Sequence, residues 1–286
     1  MSNVLDGKAC SQTIKDDLKN QVNQIITNGQ EVPGLAVVTV GDDGASKVYV
    51  RNKHNACDYI GYHYRQVALP EEATEEELLN EIDKLNVDPS IHGIIVQLPL
   101  PKHIHALKAI NRVASYKDVD GFTINNLGML ASDRPVLASC TPMGVMALLE
   151  ANGIKVAGKN AVVIGRSIQV GKPMAQMLLS EDATVTICHS KTPEAEMIQH
   201  IGRADIVVSA VGKAGFIGNP DIFKKSAVIV DIGINRDENG KLCGDITPSC
   251  YEAVDYYTPV PGGVGPMTVA ILMVNIMRAY QLQQMM

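Results

Sequence analysis

Segments with helical spacing of apolar residues alternate with short apolar runs along the first half of the chain. A helix is predicted from Asn3 to Thr27, ending at Asn28-Gly29, because its apolar residues repeat every three or four positions. The run GLAVVTV is short, β-branched and apolar throughout, which is typical of a buried strand. A second helix is predicted from about Ala45 to Ile60, after a Gly-Asp-Asp-Gly turn. The strand YHYRQVAL, the acidic helix TEEELLNEIDKLN and the strand GIIVQLPL continue an order that implies right-handed crossovers and a parallel sheet.

The alternation restarts after a break around SDRPVLASC and a helix at TPMGVMALLEANG. The strands and helices that follow are NAVVIG, VGKPMAQMLLS, ATVTIC, PEAEMIQHIG, ADIVVSA and AVIVDIG. This βαβαβ order predicts a Rossmann-like, doubly wound domain. The last helix, PMTVAILMVNIMRAYQL, is apolar on more than one side and is expected to pack back on the first domain. The predicted fold class is therefore α/β, with a first domain at residues 1–140 plus 266–286 and a second at residues 141–265.

Composition and charge narrow the class of protein. The 286 residues are 46% hydrophobic and 20% charged, as in ordinary globular proteins, and this length favours two domains. The formal net charge of -6 argues against a nucleic-acid partner and against an anionic membrane surface. No apolar run is long enough to span a bilayer, and no secretory signal is expected at the N-terminus. Scattered cysteines without a C-x-x-C pair indicate reduced thiols in a cytoplasmic protein, and no metal site is expected.

Polar residues at strand ends of the first domain are candidates for chemistry, because α/β sheets bind ligands there. Tyr49 and Lys53 are four residues apart, so a helix presents both side chains on one face. Gln97 lies at a proline-flanked strand end, and Asp118 and Asp120 follow in KDVDGF. Each residue also has a structural interpretation: an exposed lysine beside a half-buried tyrosine, a glutamine that braces the backbone, and aspartates that form a turn or a cap.

The segment GRSIQVGKP joins the first strand and helix of the second domain. It departs from G-x-G-x-x-G, yet its glycines bracket a helix start, where backbone N–H groups favour a phosphate. An ordinary tight turn is the alternative. The next strand runs into His189-Ser190-Lys191 and not into the carboxylate that usually holds the ribose of NAD. Together with Arg166, this favours NADP as the cofactor, although either basic residue could be a solvated surface charge.

Taken together, the motifs resemble the bifunctional methylenetetrahydrofolate dehydrogenase/cyclohydrolase family over nearly the whole chain. They occur in the family's order: VGDDGASKVYVRNK, VQLPLP, KDVDGF, CTPMG, GRSIQVGKP, CHSKT, DIGINR, GDI and TPVPGGVGPMTVA. The resemblance implies hydride transfer from 5,10-methylenetetrahydrofolate to NADP+, followed by hydrolysis of the methenyl product to 10-formyltetrahydrofolate. It also implies a folate-binding catalytic first domain, an NADP-binding second domain and a homodimer.

The resemblance also implies roles for single residues. Lys53 would be the central catalytic group with Tyr49 beside it over the folate, Gln97 would hydrogen-bond the lysine, and Asp120 would hold the pterin. Further substrate contacts are implied for Val96, Leu98, Pro261, Gly262, Gly263, Val264 and Gly265, with close backbone approach to the folate at the two central glycines. Cofactor contacts are implied for Gly165, Arg166, Ser167, Val170, Gly171, Ser190 and Ile234.

Three other classes of protein share parts of this pattern. A short-chain dehydrogenase also uses Tyr-x-x-x-Lys, but there the glycine loop precedes the pair, whereas here it follows. A shikimate-dehydrogenase-like enzyme shares the domain order without explaining PVPGGVGPMT. A non-catalytic folate- or nucleotide-binding protein could keep the fold, although the intact lysine and glutamine argue against it.

Overall fold

The computed structural model describes residues 2–41 and 44–286, with the backbone alone for residues 44–46. Asp42 and Asp43 of the predicted turn lie outside the described residues. The chain forms two compact units. The six-stranded unit comprises residues 2–11 with Thr141–Thr268, and the three-stranded unit comprises residues 12–41 and 44–140 with Val269–Met286. No helix among the described residues is long and apolar enough to cross a membrane.

Helices and strands alternate through most of both units. The helices are α1 Gly7–Thr27, α2 Gly44–Ile60, α3 Glu75–Val87, α4 Ala106–Arg112, α5 Ile124–Ala131, α6 Cys140–Ala151, α7 Gly171–Ser180, α8 Glu194–Arg203, α9 Pro248–Tyr251 and α10 Val264–Gln283. The strands are β1 Asn3–Val4, β2 Gly34–Val40, β3 His63–Leu69, β4 Gly93–Val96, β5 Asn160–Ile164, β6 Thr184–Cys188, β7 Ile206–Ser209, β8 Val228–Asp231, β9 Asn235–Arg236, β10 Leu242–Cys243 and β11 Tyr256–Tyr257.

The N-terminal segment differs from its prediction as the start of a helix. Asn3–Val4 is a strand that pairs in parallel with β11, and Leu5 is fully buried behind it. Helix α1 begins only at Gly7, where Asp6 Oδ1 accepts a hydrogen bond of 3.0 Å from Ala9 N. Two residues carry no periodicity, so the sequence pattern could not distinguish this edge strand from a first helical turn. As a result, residues 2–11 belong to the six-stranded unit and not to the first domain as predicted.

The larger sheet is parallel, with strand order β1-β11-β8-β7-β5-β6. The chain places β6 on one side of β5 and then returns to place β7 on the other side. Such a reversal opens a crevice at the carboxyl ends of the two central strands, which is where doubly wound sheets bind nucleotides. Gly165 directly follows β5, so the predicted glycine loop lies at this reversal.

The smaller sheet is also parallel, with strand order β3-β2-β4. The strand order reverses at β2, because β3 lies on one side of it and β4 on the other. The carboxyl ends of β2 and β4 therefore lie side by side. One face packs on α3 and α4 through a core that includes Val38, Leu78 and Ile94. Helix α2 follows β2, and Gln97 follows β4, so both carry candidate residues to the same edge of the sheet.

The last helix packs within the three-stranded unit, as predicted. Tyr62 Oη donates a hydrogen bond of 3.0 Å to Met273 O, and Gln283 Nε2 donates one of 3.0 Å to His92 O. Met273 and Ile276 are fully buried. The second half of α10 is apolar on several sides because it packs against β4 and against the segments that contain Val119 and Ala138.

Candidate active site

Lys53 and Gln97 are in direct contact. Lys53 Nζ donates a hydrogen bond of 3.0 Å to Gln97 Oε1, and Gln97 Nε2 donates one of 2.8 Å to Leu98 O. The second bond fixes the orientation of the amide, because a carbonyl accepts only from its NH2 end. Gln97 therefore does both things that the sequence suggested: it braces the backbone and it holds the lysine.

Tyr49 lies one helical turn before Lys53 on α2 and is 45% exposed. The exposed fraction of the ring decides whether it can contact a ligand, because a buried ring would pack only against protein atoms. A ring with almost half of its surface accessible can stack on a planar ligand. Lys53 is half-buried, so the pair combines an anchored ammonium group with an accessible aromatic face.

The two aspartates of KDVDGF have different environments. Asp118 is buried and accepts hydrogen bonds from the N–H groups of Gly121, Phe122 and Thr123 and from Asn126 Nδ2. It is therefore the turn residue that the sequence offered as an alternative. Asp120 is partly exposed, and no described residue donates a hydrogen bond to it. Its carboxylate is left open to a ligand.

Burial and two neighbouring charges act on the pKa of the Asp120 carboxyl. Burial among protein atoms raises the pKa of the Asp120 carboxyl, the charge of Lys53 lowers it, and the charge of Asp118 raises it further. Burial likewise raises the pKa of the Cys140 thiol, on which Asp120 and Lys53 also act. The lysine, the open carboxylate and this neutral thiol thus lie close enough to influence one another.

A cavity of about 820 Å³ opens at the same edge of the three-stranded sheet. Gln97 and Pro99 border it together with Thr39 of β2, Gln66 of β3 and Arg51 of α2. This volume lies within the range that holds small organic ligands. Gln97 therefore contacts both Lys53 and an open space of ligand size, whereas Tyr49, Lys53 and Asp120 do not border this cavity.

The other predicted substrate residues fall in both units. Val96 is buried in β4 and Leu98 is half-buried beside Gln97, whereas Pro261 is exposed. Of the remaining predicted residues in the six-stranded unit, Gly262 has φ +110°, and a Cβ placed on Gly265 would lie 3.9 Å from Ile234 Cδ1. Ile234, predicted to contact the cofactor, is thus near the predicted substrate segment within that unit.

Gly263 of the PVPGGVGP segment lies where the chain approaches itself closely. A Cβ on Gly263 would lie 2.7 Å from Pro259 O, and one on Gly7 would lie 1.8 Å from Gly263 O. Both distances are shorter than any carbon–oxygen contact, so these glycines allow the chain to approach itself. Val264, the next predicted residue, is buried as the first residue of α10.

The glycine loop after β5 is shaped by two close approaches. Gly165 has φ +130°, and a Cβ there would lie 2.4 Å from Ala210 O; one on Gly171 would lie 2.4 Å from Gly165 O. Ser167 Oγ accepts hydrogen bonds of 3.2 Å from the N–H groups of Val170 and Gly171. Ser167 therefore caps the start of α7 itself, a role that sequence reasoning did not assign to it.

Arg166 and Ser190 are both exposed and follow neighbouring strands of the sheet, β5 and β6. No acidic residue occupies the segment after β6, where His189, Ser190 and Lys191 stand. Their side chains can approach an anion without meeting a carboxylate. The loop geometry and the charges together fit a dinucleotide that carries an additional phosphate on its ribose.

A buried carboxylate organises the neighbouring loop and was not identified as a site residue from the sequence. Asp245 is fully buried, and its carboxylate accepts hydrogen bonds from the N–H groups of Val211, Gly212 and Lys213 and from Asn235 Nδ2. The sequence pattern predicts no role for the motif GDI. An acidic residue in an otherwise apolar stretch was the available signal, because a carboxylate is buried only when hydrogen bonds compensate it.

Asp231 forms a second buried centre at the end of β8. Its carboxylate accepts hydrogen bonds from Asp245 N, Ile246 N and Tyr251 Oη, while burial raises its pKa. The two aspartates link the ends of β7 and β8 to the chain that follows β10. Among the described residues, no group of three or more His, Cys, Asp or Glu side chains could hold a metal ion.

Family models match both halves of the chain. Residues 5–120 match the tetrahydrofolate dehydrogenase/cyclohydrolase catalytic domain, and residues 139–284 match the NAD(P)-binding domain of the same family. The bifunctional protein FolD of Magnetococcus marinus is 51% identical over 276 residues, with 96% of each chain covered. That of Bordetella bronchiseptica is 50% identical over 277 residues, with 96% of each chain covered.

Solved structures give the same result. The FolD enzyme of Campylobacter jejuni has a TM-score of 0.95 at 42% identity, covering 99% of this chain and 100% of that one. The Trypanosoma brucei dehydrogenase-cyclohydrolase, complexed with NADP cofactor and an inhibitor, has a TM-score of 0.92 at 35% identity, covering 99% and 98%. A shikimate dehydrogenase of Thermus thermophilus shares the fold alone, with a TM-score of 0.53 at 15% identity over 87% of this chain and 99% of that one.

These comparisons confirm the predicted fold class, enzyme class and nicotinamide dinucleotide cofactor, and they do not favour the alternative classes of protein. The identity extends over nearly the whole of each relative, so both domains of the family are present. With matches to both domain models and about half of its residues identical to those of full-length relatives, the chain belongs to the tetrahydrofolate dehydrogenase/cyclohydrolase family.

Proposed function

We propose that the chain oxidises 5,10-methylenetetrahydrofolate to 5,10-methenyltetrahydrofolate with NADP+ and hydrolyses this product to 10-formyltetrahydrofolate. The observation that carries the proposal is the hydrogen bond of 3.0 Å from Lys53 Nζ to Gln97 Oε1, at the carboxyl edge of a parallel sheet. A lysine held in place by a neutral amide keeps its Nζ available for the substrate. A purely structural lysine would be expected to pair with a carboxylate.

Asp120 binds the pterin ring of the folate in this proposal. Its carboxylate has no hydrogen-bond donor among the described residues, and a pterin offers neighbouring N–H donors that can satisfy both oxygens. The burial that raises its pKa also removes competing water. Tyr49, one turn from Lys53 and accessible, stacks on the flat part of the substrate.

The first step, hydride transfer, requires mainly that the protein position the folate and the cofactor. The methylene carbon lies between two nitrogens whose lone pairs stabilise the developing cation, so the chain mainly positions the folate. NADP+, when bound, supplies the hydride acceptor. The glycine loop, with Gly165 and Gly171, would hold its phosphates at the start of α7, and Ile234 would lie beside its adenine or nicotinamide ring.

The second step requires water to be activated beside the methenyl cation. In this proposal Lys53 Nζ assists proton transfer from this water as it adds to the methenyl carbon, and the C–N5 bond then breaks with a proton passing to N5. Gln97 keeps Nζ in place through the Oε1 contact. In this proposal the nitrogen would face the carbon that carries the positive charge. The same lysine therefore serves a reaction that needs a base and one that needs positioning.

The phosphorylated cofactor is favoured by Arg166 and Ser190. If these exposed residues contact the 2′-phosphate, Arg166→Ala raises the Michaelis constant for NADP+ by about tenfold or more and leaves that for NAD+ nearly unchanged. Arg203→Ala, on the exposed end of α8, is the matched control. Equal effects of Arg166→Ala on both cofactors would contradict the assignment.

A homodimer and a cytoplasmic location belong to the same proposal. Strand β6 is an edge of the large sheet, and no described strand pairs with its outer side. Ile187 of this strand is 42% exposed, and Leu179 of the adjacent α7 is 57% exposed, as expected of a surface covered by a second copy. All six cysteines are free thiols, which is typical of a reducing compartment.

The test of function is a spectrophotometric assay with 5,10-methylenetetrahydrofolate and either NADP+ or NAD+. Reduced cofactor is followed at neutral pH, and the methenyl product is measured after acid quenching. We expect reduced cofactor with NADP+ and no accumulation of the methenyl compound at neutral pH. An absence of turnover with both cofactors would leave a binding protein as the alternative.

A further inference from the structure

The turn that carries Asp120 is fixed by contacts from both sides. The Asp118 carboxylate accepts hydrogen bonds from the N–H groups of residues 121–123. On the other side, Gly121 packs against the backbone at Ala138. Gly121 has φ +71°, and a Cβ there would lie 2.5 Å from Ala138 C, so the two segments touch through their backbones. The direction of the Asp120 carboxylate therefore depends on how these two backbone segments are joined.

Asn275 of α10 joins them. It is fully buried, and its Nδ2 donates hydrogen bonds of 2.9 Å to Val119 O and of 2.9 Å to Ala138 O. Val119 immediately precedes Asp120, and Ala138 lies against Gly121. Two carbonyl oxygens can accept only from the NH2 end, which fixes the orientation of the amide.

The amide also carries an energetic cost. Asn275 Oδ1 is buried and has no hydrogen-bond partner among the described residues. An unsatisfied buried acceptor is unfavourable, so the two donated bonds must account for an asparagine at this position. Removing the donors would leave Ala138 O without a hydrogen bond from a described residue, and Val119 O with the Cys140 thiol, at 3.3 Å, as its donor. The two segments would then be joined less firmly.

We propose that Asn275 is a positioning residue for substrate binding, which holds the Asp120 turn at the geometry that the pterin requires. This inference rests on the proposed function, in which Asp120 contacts the pterin. Small displacements of such a carboxylate weaken two hydrogen bonds at once, because both oxygens must meet donors of fixed spacing. Asn275 acts through the backbone and does not itself contact the substrate.

Kinetics of Asn275→Leu test the proposal in the full-length enzyme. We expect the Michaelis constant for 5,10-methylenetetrahydrofolate to rise by about tenfold or more, with that for NADP+ changed less than about twofold. Asn275→Ser, which keeps one donor and leaves room for water, is the second variant if the leucine protein does not fold. Equal changes for both substrates, with a lowered melting temperature, would overturn the proposal in favour of a merely structural role.

Gln283→Leu is the matched control. Gln283 Nε2 also donates from α10 to a backbone carbonyl, that of His92, but at the amino end of β4. We expect its Michaelis constant for the folate to remain within about twofold of the unchanged enzyme. An equal rise in this variant would show that any lost contact of α10 weakens folate binding, and it would overturn the specific role of Asn275.

A double-mutant cycle with Asp120→Ala separates this inference from the proposed function. If Asn275 acts through Asp120, Asn275→Leu has little further effect on folate binding once the carboxylate is absent. Additive effects would overturn the positioning role alone. An unchanged folate Michaelis constant in Asp120→Ala by itself would overturn the role of Asp120 and, with it, that of Asn275.

Discussion

Lys53 donates to a neutral amide, and among the described residues Asp120 receives no donor at all, so the two opposite charges both remain available to a substrate. We expect Lys53→Met to lower the rate of methenyltetrahydrofolate hydrolysis by about 10²- to 10⁴-fold, the usual contribution of a positioned acid or base. Hydride transfer should be reduced less, because it depends on positioning. Loss of the methenyl absorbance measures the hydrolysis directly.

Lys84→Met is the control for this prediction, since Lys84 lies on the surface of α3 and, among the described residues, pairs with Glu81 one turn away. It should leave both rates unchanged. Hydrolysis at an undiminished rate in Lys53→Met would refute the role of the lysine. A parallel loss of both activities would instead indicate a role in binding.

His92 is 4% exposed, and its Nδ1 accepts a hydrogen bond of 3.0 Å from Gly34 N. Burial lowers its pKa to about 4; the charge of Lys117 acts in the same direction and that of Asp88 opposes it. Between pH 6.5 and 4 the unfolded chain therefore binds a proton that the folded chain does not. The free energy of unfolding should fall across this window by about 3 kcal/mol on account of His92.

Urea unfolding between pH 7 and 4 measures this effect by comparison with His92→Asn, whose side-chain oxygen can still accept from Gly34 N. Other groups titrate in both proteins, so the difference between the two curves belongs to His92. The variant should lose less stability as the pH falls. Identical pH dependence in the two proteins would show that His92 does not control this part of the curve.

At the scale of elements, the join between β5 and α7 depends on glycine. Gly171→Ala would place a Cβ 2.4 Å from Gly165 O, so the helix start must move away from the loop. We expect the Michaelis constant for NADP+ to rise by about tenfold or more, because the backbone N–H groups no longer face the phosphates. Binding of a folate to the three-stranded unit should change little.

Gly128→Ala is the matched control for Gly171→Ala. Gly128 lies within α5, and nothing lies within 4 Å of the position that its Cβ would take. Alanine there should stabilise the helix by about 0.5–1 kcal/mol and leave NADP+ kinetics unchanged. A similar loss of cofactor affinity in both variants would contradict the steric argument.

At the scale of the whole molecule, the proposed dimer predicts an effect of charge at the edge of the large sheet. We expect light scattering to give twice the mass of the 30.8 kDa chain, and Ile187→Lys to give the mass of one chain. Ile26→Lys, at an isoleucine that is 54% exposed on α1, should leave the mass unchanged. A dimer that persists in Ile187→Lys would exclude this edge as the interface.

Much of the architecture follows from the order of residues alone. Continuous apolar runs such as GLAVVTV bury on both faces of a parallel sheet whatever surrounds them, so β2, β5 and β8 were predictable. Strands of two residues, such as β1, β9 and β11, have no periodicity. They form only because a neighbouring segment of the same chain offers hydrogen bonds. The pairing of these strands, β1 and β11 in the large sheet and β9 with β10, could be known only from the folded chain.

The candidate site divides in the same way. The sequence by itself determined the types of group and their strand ends, because Lys53, Gln97 and Asp120 stand next to patterns that fix where the backbone goes. Only the tertiary structure decided that Asp118 holds the turn while Asp120 stays open, and that Asn275, more than a hundred residues away, joins the two segments behind it. Hydrogen bonds between distant segments depend on packing geometry, which local spacing does not contain.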